Sequence, residues 1–474
     1  MTVITRFSPS PTGALHLGSY RTAIFNYLYA KKMGGKFLLR IEDTDRARSK
    51  TEYLEDILEN LKWLEVIPDE IRVENINFIT DERTGLKYIL QSARVDRHRE
   101  ILKKMIDLNL AYTSLEEAKD GSGRNLEIIR FRNKNKVVSW NDLVRGRIKM
   151  DTTDLGDFII ARNINDPLYH FAVVLDDFDA GVTHIIRGED HIANTPRQIL
   201  IKEALEEIFK IKKDFIYAHL PLVLGLDKLK LSKRRGAKSL SEYRKLGYLK
   251  EAMLNFVALI GWHPGQGEEQ EIFSREELIR LFSLEKVHKA GAILNEKKFN
   301  WFNKEYIKRQ EPEEQLAYCQ KFLPESEKYN KVILEKMLKL ILERISYYGE
   351  LKTLSEAGEF TYILSDPIFD QNHPVENLIW KESSKEKTIK NLQDIRDIFE
   401  RCSKDFSKEE EILENIWQKI YSFSSEAGKG EVLWPLRYAL SGKDKSPDPK
   451  SLLKILGYEI SLRRINYALQ KLLA

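Results

Sequence analysis

The chain has 474 residues, 42% of them hydrophobic and 32% charged, which suits a globular protein of about three domains and excludes a disordered polypeptide. A formal net charge of +4 is too small to turn the whole surface toward a polyanion, so any nucleic-acid contact has to be local. Only two cysteines, Cys319 and Cys402, leave no disulfide framework and no Cys-based zinc site, and the apolar runs are too short to span a bilayer.

Residues 2–7 alternate polar with β-branched or aromatic side chains and read as a short strand. Pro9, Pro11 and Gly13 end it in a rigid turn, and from about His16 the apolar positions Leu17, Ala23, Tyr27 and Leu28 recur at helical spacing. A strand, a tight turn and a helix start leave free N–H groups and a positive dipole end at the turn, where phosphate can sit. His16 can donate to that phosphate, and Gly18, lacking a side chain, lets a flat base approach the backbone. Alone, such a turn is more often an ordinary βα connection with a surface histidine. Gly34 and Gly35 close the helix and residues 36–40 form a second strand, completing a βαβ unit of the kind that binds ligands at the carboxyl ends of its strands. Of the acidic residues that follow, Asp43 and Asp45 are expected to cap the next helix.

Residues 51–67 and 94–110 read as amphipathic helices, and from Ala111 to about Asp154 the pattern breaks into short strands and polar turns, including Gly121-Ser122-Gly123. Residues 158–161 and 169–177 look like strands returning into the first sheet. The run 183–190 is apolar and ends in Arg187-Gly188-Glu189-Asp190 at the mouth of a helix, where a structural ion pair is the plain reading. Six bases fall within residues 228–238, with no acid among them, which fits a solvated basic loop and a phosphate site equally well. Gly247–Trp262 reads as an amphipathic helix whose apolar stripe is core, and 274–281 is helical. Beyond about Gln310 the chain reads as helices almost throughout, at 330–348, 384–402, 408–424 and 449–473. Neither a P-loop nor a GxGxxG fingerprint is present, and no internal repeat.

The run from Arg6 to Ser19, RFSPSPTGALHLGS, resembles the first signature of class I aminoacyl-tRNA synthetases as it usually stands in the glutamyl branch. Lys230-Leu231-Ser232-Lys233-Arg234 resembles the second signature, a loop that closes over the ATP phosphates in that family; Leu226, Leu229 and Arg235 depart from its usual flanks. Arg40–Asp45 and Ile186–Pro196 resemble the branch's two pocket motifs, and Gly428–Gly442 a signature of the bacterial-type anticodon-binding domain. The resemblance covers essentially the whole chain. It implies an α/β fold: a Rossmann-like catalytic domain in two halves, 1–95 and 181–310, an inserted acceptor-end domain at 96–180, and a helical anticodon-binding domain at 311–474.

The same resemblance implies a ligase that activates L-glutamate with ATP and passes it to the terminal adenosine of tRNA(Glu), normally only with tRNA bound. ATP would be held by His16, Gly18, Ser19, Lys230, Ser232 and Lys233, with His16, Lys230 and Lys233 stabilising the charge that grows on phosphate. Glutamate would be held by Arg6, Ser8, Ser10, Glu42, Tyr169 and Arg187: Glu42 for its ammonium, Arg187 for its side-chain carboxylate, Tyr169 lining the same pocket. Mg²⁺ would enter with the nucleotide phosphates. Many relatives carry a zinc knuckle where this chain has Thr113-Ser114-Leu115-Glu116, so no zinc is expected. The setting implied is cytoplasmic, away from membranes, and the usual state in this branch is a monomer. A tRNA-independent nucleotidyltransferase would not need the helical third of the chain, and a truncated relative that glutamylates a modified tRNA base lacks it. A non-catalytic tRNA-binding paralogue predicts loss of His16 or Lys233, both of which are present. A glutaminyl enzyme is disfavoured because Arg187 would leave an amide unmatched. An enzyme that also charges tRNA(Gln) stays open.

Overall fold

A computed structural model of the chain describes residues 2–117, 125–230, 238–265, 269–324, 331–371, 373–381, 383–402 and 408–474. Ser232, Lys233 and the 121–123 turn lie outside the described residues. The chain divides into two compact units, Met1–Asn303 and Lys304–Ala474.

The first unit opens with β1 (Ile4–Phe7), α1 (Leu17–Lys32), β2 (Lys36–Ile41) and α2 (Thr51–Trp63), then β3 (Ile79–Thr80), β4 (Lys87–Leu90) and α3 (Val95–Asp107). Next come β5 (Ala111–Glu117), β6 (Asn125–Phe131), β7 (Val137–Asp142), β8 (Gly146–Asp151), β9 (Ile159–Asn163) and β10 (Asp166–Pro167). The chain continues through α4 (Tyr169–Asp179), β11 (His184–Gly188), α5 (Thr195–Phe209), β12 (Ile216–Leu220) and β13 (Val223–Leu224). It ends with α6 (Leu240–Lys245), α7 (Lys250–Ala258), α8 (Arg275–Leu281), β14 (Ala292–Ile293) and α9 (Glu296–Ile307), whose last turn passes into the second unit.

Strands β1, β2 and β4 pair in parallel, as do β11, β12 and β7. Thr183, just before β11, donates its backbone N–H to the Ile4 carbonyl at 2.9 Å, which lays the start of β11 beside the start of β1. The chain therefore winds outward from β1 in both directions, and the crevice at the carboxyl ends of β1 and β11 is the switch point where such sheets bind ligands. Leu17, Ile24 and Leu28 of α1 are fully buried against this sheet. Strands β5, β6, β9 and β10 form a separate antiparallel sheet, while the β7–β8 hairpin turns back and pairs with β12.

Four expectations are corrected here. Residues 169–177 are the helix α4, not a strand: Phe171, Val174, Leu175 and Phe178 recur at helical spacing, but the helix is buried on nearly every side and shows no polar face. Residues 159–163 do form a strand, but it joins the antiparallel sheet. Asp43 and Asp45 do not cap α2, whose N-cap is Lys50 without a side-chain bond; Asp43 instead accepts from the Ser92 N–H at 2.9 Å and its hydroxyl at 2.5 Å. The helix expected over Gly247–Trp262 is confined to α7, because Gly247 and Gly261 have positive φ.

The second unit is helical: α10 (Pro312–Phe322), α11 (Lys331–Arg344), α12 (Glu350–Glu356), α13 (Thr361–Leu364), α14 (Lys385–Cys402), α15 (Glu409–Ala427), α16 (Lys429–Ser441) and α17 (Pro449–Leu473). Leu392, Ile395, Phe399, Ile416, Ile420, Leu436, Leu452 and Ile465 close its core. Helix α17 kinks at Gly457, whose φ of +79° suits glycine alone, and there Glu409 accepts the Tyr458 N–H at 3.0 Å.

Candidate active site

A cleft of about 350 Å³ opens at the switch point, and Arg6, Ser8, Ser10, His16, Gly18, Ser19, Glu42, Tyr169, Arg187 and Lys230 all line it. Ser232 and Lys233 are the two remaining expected residues, and both lie outside the described residues. A larger cleft of about 940 Å³ adjoins it, shares Ser10, Glu42 and Tyr169, and adds Arg46, Arg48, Arg99 and Arg162 together with Asp45 and Asp166.

One end of the smaller cleft is a buried charge array. Arg6, 5% exposed near the end of β1, turns its Nε to both oxygens of Asp177 at 3.1 Å. Arg40, near the end of β2, binds the same carboxylate through Nη1 at 2.5 Å and Glu42 through Nη2 at 3.0 Å. Two guanidiniums thus face two carboxylates. Burial raises the Glu42 carboxyl above its ordinary value against the pull of Arg40, whereas for Asp177 burial is outweighed by Arg40 and Arg6 and the carboxyl sits below its ordinary value.

Arg187 has no such partner. At the end of β11 and 6% exposed, it donates from Nε to His219 at 3.1 Å, from Nη1 to Gln198 at 2.7 Å and from Nη2 to Thr195 at 2.8 Å. All three acceptors are neutral, since burial keeps His219 below its ordinary value. Three of the five guanidinium N–H groups are engaged and two remain. An arginine buried without a carboxylate is uncommon unless a ligand brings one. Ser8 Oγ in the same cleft is buried without a partner. Tyr169 reaches its hydroxyl to His191 Nδ1 at 3.0 Å, and burial together with Arg187 brings His191 down to about 4.

The other end is built on the start of α1. The Ser19 backbone N–H donates to His16 Nδ1 at 3.2 Å, so the neutral ring carries its proton on Nε2 and is a donor there. Burial, and then Lys230, hold the His16 imidazole below its ordinary value. A Cβ on Gly18 would lie 3.0 Å from the His16 ring, so the glycine also makes room for that histidine. Lys230 pairs with Asp190 at 2.9 Å across the mouth of the cleft. Arg21, on the same helix, is buried and bonded to the carbonyls of Ile260 and Pro221, and burial lowers it to about 10. Among the described residues no three His, Cys, Asp or Glu side chains gather into a metal site.

Sequence reasoning missed Asp177, His219, Asp142 and Arg21. His219 alone left a signal, a polar residue inside the buried strand Ile216–Leu220.

The chain matches the family described as "tRNA synthetases class I (E and Q), catalytic domain" over residues 2–121 and 113–301, and "Anticodon binding domain" over 314–469. It is 37% identical over 501 residues to a glutamate--tRNA ligase of Carboxydothermus hydrogenoformans, covering 98% of this chain and 99% of that one. It is 36% identical over 504 residues to that of Francisella tularensis subsp. tularensis, covering 99% of both. Among solved structures, a glutamate tRNA ligase from Elizabethkingia meningosepticum in complex with its amino acid superposes with a TM-score of 0.82 at 30% identity over 99% of both chains. The glutamate-tRNA synthetase of Elizabethkingia anophelis gives 0.80 at 30% identity.

Proposed function

The chain belongs to the class I tRNA synthetases, among the glutamate–tRNA ligases, and we propose that the cleft at the switch point is where it joins glutamate to ATP and then to tRNA. Glutamate's α-carboxylate attacks the α-phosphorus of ATP and pyrophosphate leaves; a terminal ribose hydroxyl of tRNA then attacks the activated carbonyl, the acyl–phosphate bond breaks and AMP leaves with the hydroxyl proton lost. No side chain has to form a bond in either step. The residues position the reactants and stabilise charge that grows on phosphate.

The cleft's charges match this substrate. Glutamate carries two carboxylates and one ammonium, a net −1, and Arg187 is a buried guanidinium of the pocket whose hydrogen-bond partners are all neutral side chains. Its two spare N–H groups suit the side-chain carboxylate; Glu42 suits the ammonium, with Arg6, Ser8, Ser10 and Tyr169 completing the pocket. Glutamine, with no net charge, would leave a buried cation uncompensated. His16 Nε2–H donates to a phosphate oxygen, Lys230 is released from Asp190 to do the same, and Gly18 and Ser19 border the nucleotide. Mg²⁺ would enter with ATP, held mainly by the phosphates, and would supply neutralisation of their charge. The neighbouring cleft, with four arginines in its lining, suits the acceptor end of tRNA(Glu), and residues 314–469 its anticodon. No helix of the described residues is long and apolar enough to cross a membrane; we place the enzyme in the cytoplasm, as a monomer.

The buried, anion-free Arg187 carries the choice of glutamate. Breaking a buried charge pair costs about 3–5 kcal/mol, so Arg187→Gln should raise the glutamate KM at least ~100-fold while the ATP KM barely moves. The assay is tRNA charging. An unchanged glutamate KM would show that another residue reads the side chain.

A further inference from the structure

The guanidinium of Arg187 is aimed by a chain of contacts that ends outside the cleft. Arg187 and His219 are neighbours in register on β11 and β12, and Asp142 ends β7, the next strand over. Because Arg187 Nε donates to His219 Nε2 at 3.1 Å, that nitrogen must present its lone pair. The ring proton is therefore on Nδ1, where it donates to Asp142 Oδ2 at 2.5 Å. Asp142 is itself fixed by three backbone N–H groups on Oδ1: His219 at 3.1 Å, Val144 at 3.0 Å and Arg145 at 2.9 Å. Burial opposes the charged form, but the His219 ring donor, with the Arg145 and His219 backbone N–H groups, outweighs it and holds the carboxyl below its ordinary value. The hairpin turn that holds Asp142 is tied down a second time, through Arg145 to Glu189 and from Glu189 to the Leu222 N–H at 2.8 Å.

We propose that His219, held in one tautomer by Asp142, is the positioning residue that fixes the Arg187 guanidinium and thereby the preference for a carboxylate over a carboxamide. The proposal rests on the reading that Arg187 grips the substrate's side chain. A carboxylate takes two parallel N–H bonds only from a guanidinium held in plane with it, so the ring that receives Nε sets which two N–H groups face the ligand. Any residue with an acceptor at the Nε2 position could do this; a donor there could not, because it would oppose the Arg187 N–H.

The test uses full-length variants in tRNA charging with glutamate and glutamine. Asp142→Asn keeps an oxygen for the backbone N–H groups but turns an amide N–H toward Nδ1, which moves the ring proton to Nε2. We expect the glutamate KM to rise about 10- to 100-fold, with kcat and the ATP KM within about threefold and the glutamate-to-glutamine ratio of kcat/KM lowered. His219→Asn, too short to meet Arg187, should do the same. His219→Gln, whose amide oxygen falls near Nε2, should recover the glutamate KM to within about fivefold of wild type. A loss of folding alone would lower kcat and active fraction in both His219 variants equally and would not separate them. If Arg187→Gln raises the KM while Asp142→Asn and His219→Asn leave it unchanged, the positioning role is overturned and the substrate reading stands. If Arg187→Gln itself is silent, both fall. If Asp142→Asn does not fold, the Asn and Gln variants of His219 decide, and equal KM values for those two would overturn the proposal.

Discussion

Replacing Asp177 by Asn keeps the shape of the side chain and removes a charge that two arginines share. Asp177 is fully buried, and it accepts from Arg6 at 3.1 Å and from Arg40 at 2.5 Å. Without it, the two guanidiniums have only Glu42 and the more distant Asp176, 3.9 Å from Arg40 and already engaged by Arg94 and His98. Leaving such a charge unpaired in the interior costs about 3–5 kcal/mol. Unfolding entropy for a unit the length of Met1–Asn303 is roughly 0.6 kcal/mol/K at about 2.1 cal/mol/K per residue, so its transition should fall by about 5–8 °C. Scanning calorimetry reads this directly, and the transition of the second unit, which lacks Asp177, serves as the internal reference. The sign with pH is also fixed. The folded carboxyl lies below its unfolded value of about 3.9, so its contribution is complete above that value and disappears as pH falls toward the folded one. The gap between wild type and variant should be constant from about pH 5 to 8 and narrow below about pH 4. A variant whose transition stays within about 1 °C of wild type at pH 7 would refute the reasoning.

His16→Asn keeps a side chain that can cap α1 but removes the Nε2–H donor; single-turnover adenylate formation, with tRNA present, should slow about 100-fold with the glutamate KM nearly unchanged. Elemental analysis of untagged protein should find well under about one zinc per chain, since thiol ligands are missing from the inserted region; a stoichiometric ion would contradict this. A chain ending near Gln310 should fold, because the first unit has its own core, yet lose most tRNA discrimination and show a shallower salt dependence of tRNA binding. Unchanged charging by that truncated protein would make the helical unit dispensable.

What the sequence made legible was local. The alternation in residues 2–7, the Pro9–Gly13 turn and the helical spacing after His16 lie within one another's reach, and β1, α1 and β2 follow them. Helix α4 was hidden because its Asp176 and Asp177 are as buried as its Val173 and Val174, which erases the polar stripe that marks a helix. The link between Asp142 and His219 was hidden for another reason: they are 77 positions apart, and a polar residue inside an apolar strand does not name its partner before the strands pair. Arg187 stood out in sequence, but the three neutral groups that leave it short of an anion did not.

The arrangement of β1 has a consequence for synthesis. Arg6 and Arg40 leave the ribosome well before Asp177, and β1 meets its neighbour at Thr183 only after some 180 residues have been made. Until then a nascent sheet would hold the Arg6 guanidinium without its anion and Arg40 with Glu42 alone, a state costly enough to keep it open. At roughly 5–20 residues per second the wait lasts about 10–40 s. The N-terminal βαβ segment, the first part made, therefore settles only after more than half of its unit has been synthesised.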